Sequence, residues 1–176
     1  MSTNKWALDP THSEVQFKIK HLMITNVTGS FTQFDANAET EGDDFSTAQL
    51  SFSAPISSIS TNNEQRDGHL KSADFFDAEQ FPELTFTSKR VEKVSSDTFN
   101  VIGDFTVKGI SKEAKLNVEL GGITKDPYGN TKAGLTISGK INRSDYGLTW
   151  NAALETGGVM VSEEVRLNAE IQLVKQ

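Results

Sequence analysis

One stretch of this chain, residues 62–86, departs from the pattern of the rest and reads NNEQRDGHLKSADFFDAEQFPELTF. On both sides of it apolar and polar residues alternate, as they do in half-buried β-strands. The stretch itself predicts a short helical insertion between strands, near residues 62–80, with the helix over Glu64–Lys71. Asn62 or Asn63 can accept the free amides of the first turn. An insertion of this kind is a candidate lid over whatever the strands enclose.

The alternating segments predict about eight strands joined mostly by short turns. Short connections join antiparallel neighbours. Because each predicted strand has one apolar face, the sheet must pack on a second sheet or close on itself. Closure removes the exposed edges, and about eight antiparallel strands can enclose one small apolar ligand. We therefore predict an all-β fold, a closed antiparallel barrel that forms a single domain over residues 1–176. A β-sandwich is the competing architecture.

Composition and charge restrict the possible partners. The chain has 176 residues and a net charge of −7, which argues against nucleic acid or an anionic membrane surface as the main partner. It has no cysteine, which rules out disulfides and thiolate metal sites. No apolar run approaches the roughly 20 residues of a membrane-spanning helix. The sequence as given opens without the apolar segment of a signal peptide, so we expect a cytoplasmic protein, or a periplasmic one if a leader has been removed.

Catalytic motifs are scarce. The three histidines, His12, His21 and His69, form neither an HxH nor an HExxH pattern. No GxSxG, P-loop or GxGxxG motif occurs. We therefore expect no enzymatic activity, no catalytic residues, no metal and no cofactor. The alternative is a metal-dependent or His/carboxylate enzyme, built at the barrel mouth on His12, His69 and neighbouring carboxylates.

The inner faces of the predicted strands suit an apolar ligand. Small residues among the large ones would leave room inside the barrel: Ala54, Gly103, Ala133, Gly139 and Ala169. Burial of a methylene group is worth about 0.8 kcal/mol, so a long alkyl or prenyl chain needs few polar contacts. The predicted ligand-binding wall comprises Phe17, Ile19, Phe31, Leu50, Phe52, Phe86, Phe105, Leu135 and Ile137. The predicted mouth comprises Phe75, Phe76, Leu148 and Trp150. The alternative is a filled core in a non-catalytic stress-response interaction module.

A polar cluster falls in the turns and in the two segments that do not alternate. Its members are His12, Arg66, His69, Asn142 and Arg143. If both segments meet at one barrel mouth, Arg66 or Arg143 can hold an anionic or polar head group, since guanidinium pairs well with carboxylate or phosphate. The alternative is an Arg–Asp bridge that ties the two segments together.

Five stretches, taken together, resemble the YceI-like family. They are DPTHSEVQFKIKH at residues 9–21, VTGSFTQFDA at 27–36, SISTNNEQRDGHLKSADFFDAEQFPELTFTS at 58–88, VIGDFTVKGISKEAKL at 101–116 and INRSDYGL at 141–148. They run over nearly the whole chain in the order of the family. Each stretch alone is a weak signal, and their combination is highly specific.

The resemblance implies a lipocalin-like fold, an eight-stranded antiparallel up-and-down barrel with a helical insertion. It also implies that the barrel binds a long amphiphilic molecule, such as a polyisoprenoid or a fatty-acid-like molecule, and carries or stores it. Bacterial members are commonly homodimers, and many are exported to the periplasm. The family offers no catalytic residues to transfer. From the residues and the resemblance we predict a lipid-binding transport protein without an integral membrane segment, whose partner is a hydrophobic small molecule.

Overall fold

The computed structural model describes residues 3–22, 24–149 and 161–176. It contains one α-helix and eleven strands within those ranges. The strands are β1 (Thr3–Leu8), β2 (Glu14–His21), β3 (Thr25–Phe31), β4 (Asp35–Glu41), β5 (Asp44–Pro55), β6 (Ile59–Ser60), β7 (Glu83–Lys93), β8 (Thr98–Val107), β9 (Ile110–Lys125), β10 (Thr131–Asn142) and β11 (Val161–Lys175). The helix, α1 (Glu64–Lys71), lies where the sequence predicts it. Asn63 caps it, because its side chain accepts a hydrogen bond from the amide of Arg66.

Eight of these strands close into a barrel. Their order is β1-β4-β5-β7-β8-β9-β10-β11, and β11 pairs back with β1. Every pairing is antiparallel, so the predicted eight-stranded barrel is confirmed and the sandwich alternative is wrong. β2, β3 and β6 extend the sheet from β11. The carboxyl end of β11 pairs with β1, and the part of β11 nearer its amino end pairs with β2. A single-turn 3₁₀ helix, Pro10–His12, separates β1 from β2.

One end of the barrel, which we call the closed end, is sealed by packing and by ion pairs. Trp6 is buried there against Phe45, with ring centroids 5.2 Å apart, and its indole N–H donates to Oγ1 of Thr40. Nearby, Lys132 Nζ lies 2.9 Å from Oδ2 of Asp9. Hydrogen bonds from Lys132 and then His12 hold the pKa of Asp9 well below its ordinary value. These contacts fix the 3₁₀ turn to the start of β10.

The prediction that small residues leave room inside the barrel is mostly wrong. A Cβ at Gly139 would lie 2.6 Å from Cδ2 of Leu116, and a Cβ at Gly103 would overlap the backbone of β7. Ala54 and Ala133 are fully buried without bordering the barrel cavity. At the two glycines, the space that a side chain would take is filled by a neighbouring side chain or by backbone. Ala169 alone of the five lines the cavity.

Gly103→Ala is expected to destabilise the barrel by about 2 kcal/mol, the usual cost of overpacking. A Cβ there would overlap the carbonyl oxygen of Thr87 and lie 2.7 Å from Cα of Ser88, neither of which can move without shifting β7. Urea unfolding measures the change. Gly134→Ala is the control, because a Cβ there meets nothing within 4 Å. The control should be neutral or slightly stabilising; equal losses in both variants would contradict the packing argument.

Candidate functional site

The barrel encloses a cavity of about 340 Å³, lined almost wholly by apolar side chains. Protein interiors are ordinarily packed so tightly that few voids exceed the size of a water molecule. A volume of several hundred Å³ is instead typical of small-molecule sites. The filled core that the sequence left open as an alternative is therefore absent from this barrel.

The residues predicted as the wall lie around this cavity. The lining includes Phe17, Ile19, Phe31, Leu50, Phe52, Phe86, Phe105, Leu135 and Ile137. Of the predicted mouth residues, Phe75, Phe76 and Leu148 also line it, and Trp150 lies outside the described residues. Their contact with a ligand stays a prediction.

Sequence reasoning left out a second set of lining residues. They are Val15, Val27, Leu70, Leu84, Val101, Val107, Leu116, Val118, Ile141, Val161, Val165, Leu167, Ile171 and Leu173. Most of them belong to the inward-facing, apolar positions of strands that the sequence already predicted. The same alternation therefore marked them, although the predicted wall did not include them. Leu70 gave a different signal, since it is the one large apolar residue of α1.

Helix α1 faces the cavity through three residues. Arg66, His69 and Leu70 all line it, and their spacing of three and four places them on one face of the helix. No residue of α1 is fully buried. Polar contacts therefore hold the helix against the barrel in place of an apolar stripe.

Thr61, the residue that follows β6, carries most of these polar contacts. Arg66 donates from Nε to Oγ1 of Thr61 and from Nη2 to its carbonyl oxygen, each over 2.7 Å. Oδ1 of Asp67 accepts hydrogen bonds from the Thr61 amide, over 2.8 Å, and from its hydroxyl, over 2.6 Å. Thr61 is buried, so this network fixes the position of the Arg66 guanidinium.

The chain after α1 folds back beneath it. The amide of Phe76 donates to the carbonyl of Leu70. The His69 ring stands edge-on to Phe75, with centroids 5.0 Å apart, and its Nε2 lies 2.9 Å from Oδ2 of Asp74. Phe75 is buried and faces the cavity. We call residues 61–82 the lid segment.

A second irregular segment begins with Arg143, which is 2% exposed. Its guanidinium donates from Nε to the carbonyl of Ser162, from Nη1 to that of Leu148 and from Nη2 to that of Val161. Glu163 Oε1 lies 3.8 Å from Nη2. Burial lowers the pKa of Arg143, but an arginine stays charged at any physiological pH. Arg143 thus ties the 3₁₀ turn Arg143–Tyr146 to the start of β11.

The lid segment and the Arg143 turn meet at one end of the barrel, which we call the mouth. The turn between β8 and β9 links them. Lys108 Nζ lies 3.4 Å from the carbonyl oxygen of Gly147, and a Cβ at Gly109 would lie 2.8 Å from the ring of Phe81. Beside this turn Tyr146 packs edge-on against Phe105, and burial raises the pKa of its hydroxyl to about 12.

The predicted polar cluster is only partly assembled at the mouth. Arg66, His69 and Arg143 line the cavity, whereas Asn142 is exposed and does not. His12 lies at the closed end, because its 3₁₀ turn is fixed to the start of β10 and Arg143 follows the end of that strand. In the described ranges neither Arg66 nor Arg143 pairs with an Asp, so the proposed Arg–Asp bridge is not formed there.

A metal centre has no support in the part of the chain that the structure describes. No three His, Asp or Glu side chains come together there. His12 contacts Asp9 and His69 contacts Asp74, at opposite ends of the barrel.

No described helix is long and apolar enough to cross a membrane.

Comparison with known proteins assigns the family. The family model described as YceI-like domain matches residues 6–173. This chain belongs to the YceI-like family. A UPF0312 protein of Staphylococcus aureus is 44% identical over 168 residues, which cover 95% of both chains.

Several solved structures have a similar fold. A YceI protein of Campylobacter jejuni is 35% identical, with a TM-score of 0.78 over 96% of both chains. BcnA of Burkholderia cenocepacia is 19% identical, with a TM-score of 0.81 over 94% of this chain and 98% of its own. A domain from Saccharophagus degradans, described as polyisoprenoid-binding, is 18% identical with a TM-score of 0.69 over 97% of this chain and 98% of its own. These likenesses agree with the lipocalin-like barrel that the sequence predicts.

Proposed function

We propose that this protein binds a long-chain amphiphilic lipid, a polyisoprenoid or a fatty-acid-like molecule, inside its barrel and carries or stores it. The observation that carries the proposal is the apolar cavity of about 340 Å³ beneath the lid segment. The description of the structurally similar Saccharophagus domain as polyisoprenoid-binding supports this choice of ligand class.

The chemistry of the lining favours a chain over a compact polar ligand. Phe, Leu, Ile and Val side chains from β2, β5, β7, β8, β9, β10 and β11 make up more than half of the lining residues. Ten buried methylene groups would contribute about 8 kcal/mol before the cost of immobilising the chain is subtracted. The polar side chains at the mouth leave one end of the cavity suited to a head group. The ligand would therefore lie with its chain along the barrel and its polar end under the lid segment.

Freshly purified protein should release a hydrophobic molecule of one mass class at one copy per chain. Native mass spectrometry followed by organic extraction gives the stoichiometry and the mass. The same spectrum reports whether the protein is the homodimer that we also propose. Protein purified empty should take up oleate or geranylgeraniol when either is added. An empty protein that takes up neither chain would contradict the proposal.

A further inference from the structure

The ionisable side chains among the described residues of the cavity lining are all basic. The chain carries 24 acidic and 17 basic residues. Nevertheless, among the described residues that line the cavity there is no Asp or Glu, whereas Arg66, His69 and Arg143 are all present. Lys20 also borders the cavity, but the alternation of β2 directs its side chain outward, away from that of Ile19.

The nearby carboxylates are directed elsewhere. Asp67 is engaged by Thr61, and Asp74 by His69. Glu163, which approaches the Arg143 guanidinium to 3.8 Å, has a side chain that is 54% exposed. None of the three lines the cavity. A head group at the mouth would therefore face cationic groups without a competing carboxylate in the described lining.

Arg66 is the residue best placed to bind a head group. Thr61 occupies its Nε and Nη2, and Nη1 makes no hydrogen bond to any residue in the described ranges. The guanidinium is held in position before any ligand arrives, which lowers the entropy lost on binding. Arg143 contributes charge to the cavity wall, while its three nitrogens donate to backbone carbonyls. A planar guanidinium with free N–H groups suits an oxyanion.

We infer that the polar end of the ligand is an anion, a carboxylate or a phosphate, which Arg66 binds at the mouth. The inference rests on the proposed function, because it concerns the head group of the lipid in the barrel. Arg66 is exposed, so water solvates its charge in the absence of an anion, and a neutral head group of the same size would form no ion pair with it.

Lipids that differ only in head-group charge test the inference. Oleate is compared with oleamide, and geranylgeranyl monophosphate with geranylgeraniol. Each displaces the uncharged probe N-phenyl-1-naphthylamine at pH 8 and low salt, below the concentration at which the lipids self-associate. We expect the charged member of at least one pair to bind about 10-fold more tightly. The pair that shows the preference distinguishes a carboxylate ligand from a phosphate ligand, and higher salt should reduce it.

Arg66→Gln should reduce this preference to about 2-fold. The preference is a ratio of two affinities measured on one variant, so a general change in binding from loss of the Thr61 contacts affects both lipids and leaves the ratio intact. Lys71→Gln is the matched control, since it removes the same charge from the same helix at a residue that does not line the cavity. The control should keep the full preference. Equal loss in both variants would overturn the assignment to Arg66.

The remaining outcomes separate the two proposals. Equal affinities within both lipid pairs would overturn the anionic head group and leave lipid binding intact. Failure of all four lipids to displace the probe, in protein from which any bound lipid has been extracted, would overturn lipid binding and the head group with it. A preference for the charged lipid that survives in Arg66→Gln would place the anion on another residue and overturn the inference as stated.

Discussion

Leu135→Trp is expected to weaken lipid binding about a hundredfold and to leave the barrel folded. Leu135 lies near the middle of β10, paired with Leu120 on β9 and with Ile171 on β11, and its side chain lines the cavity. An indole at this position would occupy the space of roughly four methylene groups of a bound chain. Their loss corresponds to about 3 kcal/mol, or about a hundredfold in Kd.

The fold should survive because the larger ring enters an existing cavity. Overpacking costs stability where side chains are already in contact on all sides, and here the ring extends into about 340 Å³ of free volume. The midpoint temperature of thermal unfolding should therefore change by no more than about 5 °C. Displacement of N-phenyl-1-naphthylamine by oleate and by geranylgeraniol measures binding to the same protein samples.

Thr136→Trp is the control for this substitution. Thr136 is the next residue of β10, and it faces outward, where its hydroxyl donates to Oε2 of Glu170. The control adds an indole to the same strand without narrowing the cavity, so the Kd should change by less than about 2-fold. If folded Leu135→Trp still binds lipid with the affinity of the unsubstituted protein, the ligand does not lie along this wall.

The barrel and its cavity wall follow from a local signal. In Phe17 and Ile19, or Leu135 and Ile137, the alternation of apolar and polar residues marks the inward face without any knowledge of the partner strands. The lid could be predicted in the same way, because residues 62–80 lack that alternation. Family resemblance added the strand topology, which alternation alone cannot distinguish from a sandwich.

Long-range contacts account for the predictions that were wrong. Gly103 and Gly139 looked like sources of free volume, but whether a missing side chain leaves a void depends on the neighbouring strand. His12 looked like a mouth residue because it lies in a turn, whereas Asp9 and Lys132 fix that turn at the closed end. No short-range pattern reports which end of a barrel a turn occupies.

The role of Arg143 was also hidden from the sequence. Its type suggested a carboxylate or a head group as partner, yet within the described residues its hydrogen bonds go to the carbonyls of Leu148, Val161 and Ser162. Backbone carbonyls are present at every residue, so sequence offers no sign of which ones an arginine will reach. This arrangement makes Arg143 a structural residue at the mouth, beside the more accessible Arg66.

Arg143→Met is accordingly expected to destabilise the protein by about 3 kcal/mol. The substitution would remove the hydrogen bonds that Arg143 donates to the carbonyls of Leu148, Val161 and Ser162. The bond to Leu148 is buried and the other two are partly buried, and loss of a partner for a buried acceptor costs about 1–3 kcal/mol. Methionine also removes the cost of burying a charged guanidinium, and this gain offsets part of the loss. The expected destabilisation is therefore smaller than the summed cost of the three lost hydrogen bonds. Urea unfolding followed by circular dichroism measures the free energy of unfolding.

Two further variants separate the geometry of the guanidinium from its charge. Arg143→Lys keeps the positive charge but replaces a planar fork with a single ammonium group, so it should still lose about 2 kcal/mol. Arg166→Met removes a guanidinium that is 65% exposed beside Glu164 on β11, and it should change stability by less than about 0.5 kcal/mol. Full stability in Arg143→Lys would mean that charge alone is needed at this position. The backbone hydrogen bonds could then not be what holds the mouth together.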